Sequence, residues 1–253
     1  MNIVKKAIVV GATSGIGREV AKELLRKGWQ VGVAGRRLQL LEDFCMENPS
    51  VAIQQIDITG EDATANLQKL IDKLGGLDLY LHVSGIGFQN VNLEATVEVK
   101  TAETNVVGFT RMVDYAFKYF KDNGGGQIAA VSSIAGTKGL GVAPAYSATK
   151  RFQNIYIDAL EQLAHLQKLN ISFTDIRPGF VDTALLNDDE KYPLLLSSEF
   201  VAREIVCAVE RRKRCKVIDW RYAVLTFFWK LIPDFLWKRL PIKTSKKTKE
   251  DKG

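Results

Sequence analysis

The chain has 253 residues, of which 46% are hydrophobic and 25% charged, an ordinary globular balance with enough length for one large α/β domain. Its formal net charge is +6, and the basic residues are uneven, with local runs in Arg211-Arg212-Lys213-Arg214 and Lys243–Lys252 that describe those segments rather than the whole surface. Three cysteines without C-x-x-C spacing (Cys45, Cys207, Cys215) and two isolated histidines (His82, His165) argue against a disulfide framework and a metal centre, and point to a reducing compartment.

The pattern along the chain alternates short β-branched runs with longer amphipathic stretches, which predicts repeated βα units on a parallel sheet. Met1–Lys6 leads into an apolar run too short for a signal-peptide core, so Ala7–Val10 reads as the first strand. A helix over Gly15–Lys27 sets Ile16, Val20 and Leu24 on one face and stops at Gly28. Then follow strand Gln30–Ala34, helix Leu38–Glu47, strand Val51–Gln55, helix Glu61–Leu74 and strand Leu77–Val83. The second half predicts helix Thr96–Asp122, strand Gly126–Val131, helix Ala143–Leu169, strand Ile171–Ile176, helix Ser198–Arg212 and strand Lys216–Ile218. The expectation is a doubly wound parallel sheet of Rossmann type over residues 1–219. An amphipathic helical extension and a lysine-rich tail would follow over 220–253. Ligands of such a sheet bind beyond the carboxyl ends of its strands.

The first predicted strand runs into Gly11-Ala12-Thr13-Ser14-Gly15-Ile16-Gly17, with a helix directly after. Gly11 allows the sharp bend, Gly15 a close approach of backbone to a pyrophosphate, and Gly17 tight packing of helix on sheet. The second strand ends Ala34-Gly35-Arg36-Arg37. Gly35 stands where an NAD site would carry an acid, and the guanidinium of Arg36 can clamp a 2′-phosphate, which favours NADP(H). Arg37 reads either as a second clamp or as a solvated helix start. Tyr146 and Lys150 are spaced i, i+4, on one helical face, where an ammonium favours the phenolate and lowers the phenol's pKa.

The G-x-x-x-G-x-G turn, the serine-bearing strand end Ser132-Ser133 and the Y-x-x-x-K pair occur in an order that resembles the short-chain dehydrogenase/reductase family, in its single-domain, NADP(H)-preferring branch. The resemblance implies hydride transfer between NADP(H) and a carbonyl or secondary alcohol. It assigns the substrate oxygen to Ser133 (with Ser132 the neighbouring candidate), proton transfer to Tyr146, the nicotinamide ribose to Lys150, and a water relay to Asn105. It places Asp57 at the adenine amine, although a turn role is as plausible for that residue. Arg177-Pro178-Gly179-Phe180-Val181-Asp182-Thr183 matches the segment that cups the nicotinamide and phosphates. One departure stands out: His82-Val83-Ser84-Gly85 replaces the usual Asn-Asn-Ala-Gly. Gly85 still permits backbone to approach the cofactor, and His82 reads as a core residue. The local sheet geometry is put in doubt more than the chemistry.

Beyond the Pro-Gly turn, Ala184–Leu196 forms an apolar lid, which fits either a hydrophobic substrate or plain packing. Trp220–Leu240 mixes aromatic and basic residues around Pro233, which should break it. Three roles stay open for it: a membrane interface, a cover for the chain's own site, or a subunit contact. Family habit implies a homodimer or homotetramer through the helices bearing Asn105 and Tyr146. The expected location is cytoplasmic, with peripheral membrane contact through 220–253 as the alternative. Nothing suggests nucleic-acid binding. The competing functional class is a dinucleotide-sensing protein that binds without turnover.

Overall fold

The computed structural model describes residues 4–186, 190–242 and 245–246. Asn187–Asp189 of the predicted lid and most of the lysine-rich tail lie outside the described residues. Seven parallel strands form the sheet: β1 (Lys6–Val10), β2 (Gln30–Gly35), β3 (Ala52–Gln55), β4 (Leu79–His82), β5 (Gly126–Val131), β6 (Ile171–Arg177) and β8 (Cys215–Val217). Their order is β3-β2-β1-β4-β5-β6-β8, so the winding reverses between β1 and β4. That reversal opens a crevice above the carboxyl ends of these two strands. A two-residue ribbon pairs β7 (Glu190–Lys191) with β9 (Ser245–Lys246).

Alternate residues of each strand enter opposite layers, as the pleat requires. Ala7 and Val9 of β1 pack with α1 (Gly15–Arg26), α2 (Leu38–Glu47) and α7 (Ser198–Glu210). Ile8 and Val10 pack on the other side with α3 (Ala63–Leu74), α5 (Phe109–Asp122) and α6 (Pro144–Leu166). Both faces are covered, which is why these strands read as nearly continuous apolar runs.

The predicted helix Thr96–Asp122 is in fact three pieces: α4 (Ala95–Ala102), a π-helical turn over Glu103–Gly108, and α5. Asn105 sits in the wide turn and is fully buried. Such turns are single-turn interruptions of an α-helix, frequent at functional sites. The doubt over His82-Val83 resolves in favour of regular pairing, with Val10 opposite His82 and His82 opposite Ala130. Pro233 breaks the C-terminal segment as expected, into α8 (Trp220–Leu231) and α9 (Asp234–Trp237). Tyr222 of α8 is buried within the same core layer as α1 and α7. Among the described residues no helix is long and apolar enough to cross a membrane.

Candidate active site

The turn after β1 is shaped by close backbone approach. Gly11 has φ +95°, and a Cβ there would lie 2.5 Å from the Ser84 nitrogen. A Cβ on Gly17 would lie 2.1 Å from the Gly11 oxygen. Both positions therefore exclude side chains on steric grounds. Gly15 has φ +54° and faces the Thr183 methyl, so the Pro178–Thr183 segment meets the turn directly. Ser14 caps α1 in an extended conformation and makes no side-chain cap bond, leaving the first N–H groups of α1 to other acceptors. A helix start of this kind, approached by bare backbone, fits the pyrophosphate of a dinucleotide.

At the end of β2, the Arg37 guanidinium donates to both Thr13 Oγ1 and Ser14 Oγ at 2.7 Å. Arg37, although exposed, is thus tied to the glycine turn. Arg36 is exposed beside Asp57. Asp57 accepts from the backbone nitrogen and the hydroxyl of Thr59, at 3.0 and 2.7 Å, the geometry of a local turn. Burial pushes the Asp57 carboxyl up, but the Thr59 bonds and Arg36 outweigh it, and its pKa falls below the ordinary value.

Across the crevice, β5 ends in Ser132 and Ser133, and α6 brings Tyr146 and Lys150. The Ser133 hydroxyl, which accepts from Ala135 N at 3.1 Å, lies near enough to the Tyr146 phenol to oppose the rise in its pKa. Lys150 Nζ donates to Val131 O and Gln153 Oε1, both at 3.1 Å, and lies 5.7 Å from the Tyr146 ring centre. Asn105 grips Ile86 from both sides: its Oδ1 accepts from Ile86 N at 2.9 Å and its Nδ2 donates to Ile86 O at 2.7 Å. Its Nδ2 also reaches Thr149 Oγ1 at 3.1 Å. Gly85 lies against both Asn105 Oδ1 and Lys150 Nζ. Asn105, Ser133, Tyr146 and Lys150 therefore converge at one place, next to the glycine turn. A groove of about 650 Å³ lies nearby, between Lys138–Gly141, Asp234 and the outer face of α6, but neither Tyr146 nor Lys150 lines it.

The electrostatics depart from the sequence-based expectation. Burial pushes the Tyr146 phenol above its ordinary value, and the Ser133 hydroxyl offsets only part of that rise. Lys150, also desolvated, is lowered to about 8, with the Asp175 carboxylate opposing the shift. The phenol is therefore raised where the i, i+4 spacing suggested a lowering, with burial as the larger cause. At neutral pH both groups carry their protons.

Ser132 is occupied elsewhere. It donates to Asp175 Oδ1 and accepts from Asn154 Nδ2 at 2.8 Å, in a buried cluster completed by Arg177. His82 is buried with Nδ1 2.8 Å from the Tyr80 hydroxyl, while its Nε2 has no partner. Burial, and then the Lys150 ammonium, lower it to about 3, so it stays neutral. Pro178 O accepts from Ile134 N, Gly179 packs on the Tyr222 ring, and Val181 bridges to Leu196.

Three contributors escaped sequence reasoning. Gln153 joins Lys150 to the carbonyl of Asn105, donating to it at 2.9 Å; its i+3 spacing from Lys150 was a usable signal. Gly87 presses on the Tyr146 ring, for a Cβ there would lie 2.5 Å from Cδ2. The Tyr222 hydroxyl accepts from Phe180 N and donates towards Pro193 O and Leu194 O, tying α8 to the lid, with no sequence signal at all.

Comparison with known proteins follows the same lines. Residues 5–192 match the family model described as short chain dehydrogenase. An uncharacterized oxidoreductase of Myxococcus xanthus is 30% identical over 238 residues, covering 91% of this chain and 93% of that protein. The dehydrogenase/reductase SDR family member 7B of Mus musculus is 28% identical over 231 residues, covering 82% and 71%. Among solved structures, ElxO with NADP bound superposes with a TM-score of 0.78 at 21% identity, over 88% of this chain and all of the other. A variant of actinorhodin polyketide ketoreductase with NADPH gives 0.75 at 22% identity, over 85% and 95%. A family match across three-quarters of the chain, on a seven-stranded sheet wound in this order, makes the chain a member of the short chain dehydrogenase family of oxidoreductases.

Proposed function

We propose that this oxidoreductase uses NADP(H) to reduce the carbonyl of a hydrophobic substrate, and that Asn105, Ser133, Tyr146 and Lys150 carry the reaction. The observation that carries the reading is the convergence of Tyr146 with Lys150, whose ammonium lies 5.7 Å from the phenol ring, and of Asn105 beside Gly85 at the same place.

The preference for the phosphorylated cofactor has a steric argument. A carboxylate at position 35 would need a Cβ 2.6 Å from the Thr13 methyl, and Thr13 is held in place by Arg37. The acid that would bond an unphosphorylated ribose has no room, while Arg36 and Arg37 offer two cations to a phosphate. Two structural neighbours, ElxO with NADP bound and the actinorhodin ketoreductase variant with NADPH, support this choice. Gly11, Thr13, Ser14, Gly15, Ile16 and Gly17 would hold the pyrophosphate, with Gly85, Pro178, Gly179, Val181 and Thr183 around the nicotinamide.

When bound, the reduced nicotinamide supplies the hydride. Ser133 and Tyr146 hold the carbonyl oxygen. As that oxygen gains negative charge, Tyr146 Oη gives up its proton, and the Lys150 ammonium stabilises the resulting phenolate. Gln153 and Asn105 keep Lys150 in place and support return of the proton. With its pKa raised by burial the phenol is a proton donor, which suits the reductive direction. Exposed Phe88 follows Gly87, which packs on Tyr146, and exposed Leu194 and Leu195 belong to the segment after the Pro-Gly turn, which suits an apolar substrate.

The test is consumption of NADPH against a panel of ketones and aldehydes that includes long-chain lipids, with wild type and Tyr146→Phe side by side. Turnover in the variant should fall by about 10²–10⁴-fold, the usual worth of a general acid, with NADPH binding retained. Equal consumption by both proteins defeats the assignment and favours a binding protein without turnover.

A further inference from the structure

Helix α8 is apolar on two opposite sides. Its inner side, Tyr222, Thr226 and Trp229 at successive turns, packs against the core. Its outer side repeats the spacing with Trp220, Val224, Phe227, Phe228 and Leu231. Trp220 is 74% exposed, and Phe227 and Phe228 are each 58% exposed. Helix α9 extends the surface with exposed Phe235 and Leu236. A surface helix ordinarily turns a polar face to water, so this second stripe calls for something that covers it.

Charge selects the occupant. Arg221 and Lys230 fall on the two flanks of the outer stripe, and Lys238 and Arg239 follow α9. Residues 220–253 contain nine of the 35 cations and three of the 29 acids. This segment therefore carries the entire formal excess of +6, and residues 1–219 are balanced. Two copies of such a face would meet like with like. An anionic bilayer supplies both an apolar layer for the aromatic rings and negative charge for the cations around them.

The platform is fastened to the fold. Trp237 Nε1 donates to Gly139 O at 2.7 Å, Lys138 pairs with Asp234 at 2.5 Å, and Tyr222 holds the lid. We propose that the outer face of α8 and α9 docks on the surface of an anionic membrane, with Trp220, Phe227, Phe228 and Leu231 entering the acyl boundary and Lys230, Lys238 and Arg239 meeting lipid phosphates. The docking is peripheral. It does not depend on which cofactor or carbonyl the site uses.

The test is co-sedimentation of the full chain with vesicles of phosphatidylcholine alone and of phosphatidylcholine mixed with phosphatidylserine. Two variants accompany wild type: Phe228→Glu with Leu231→Glu, and Lys230→Glu with Lys238→Glu. Thermal melting checks that each is folded. Wild type should pellet with the anionic vesicles, less so as salt is raised, and each variant should lose roughly tenfold or more of that partition. Wild type that stays in the supernatant with both vesicles overturns the proposal, as does equal pelleting of all three proteins. A wild-type dimer by light scattering that the first variant splits, with no vesicle uptake, overturns it in favour of a self-interface.

Discussion

Substituting Gly87 by alanine tests whether the site works through the position of one phenol. The new Cβ would lie 2.5 Å from Tyr146 Cδ2 and 2.6 Å from Cε2. Carbon atoms rest at about 3.5–4.0 Å, so one partner must yield by about 1 Å. The backbone has little freedom to do so. Ile86 is held at both its N–H and its C=O by Asn105, and Asn90 N donates to Val142 O at 2.9 Å just beyond. Gly87 is not among the residues with positive φ, so alanine brings no backbone strain of its own. The displacement falls on the Tyr146 ring. A shift of about 1 Å at a proton donor costs about 10²-fold in rate, or about 2.7 kcal/mol of barrier. The assay is steady-state NADPH oxidation with whichever carbonyl wild type reduces best, with nicotinamide fluorescence as the measure of cofactor binding. The loss should appear in kcat, with melting temperature and NADPH affinity close to wild type. A Gly87→Ala enzyme that turns over at the wild-type rate refutes the claim that this glycine sets the phenol's position.

Arg37→Ala should weaken NADPH by about tenfold more than NADH, since the bonds that steady Thr13 and Ser14 are lost for both cofactors and a charge-assisted 2′-phosphate contact for one; equal losses for both, by fluorescence titration, contradict the 2′-phosphate reading. The same titration on Arg36→Ala ranks the two cations. The pH profile offers a separate check. The Lys150 pKa is lowered to about 8, so the ammonium is present below that value and is lost as pH rises through it. Reduction should therefore decline on the alkaline side of about 8, and a flat profile through that region would contradict the role given to Lys150.

Much of this molecule was legible in the residue order because it depends on local rules. The alternation of β-branched runs with amphipathic stretches marks a sheet covered on both faces, and the parallel seven-stranded architecture follows from it. The spacing of Gly11, Gly15 and Gly17 encodes a tight turn into a helix, and the spacing of Tyr146 and Lys150 encodes a shared helical face. These features involve residues within a few positions of one another, where backbone geometry leaves few choices. Contacts between distant segments obey no such period. The sequence left open whether Arg37 is solvated, which partner Ser132 takes and what Trp220–Leu240 covers. Only the folded chain draws Arg37 to Thr13, sinks Ser132 into the Asp175 cluster, sets Gly87 on the Tyr146 ring and ties Tyr222 to the lid. It also buries Tyr146, which pushes the phenol's pKa up. Desolvation depends on everything packed around a group, and that sum exists only once the tertiary structure has formed.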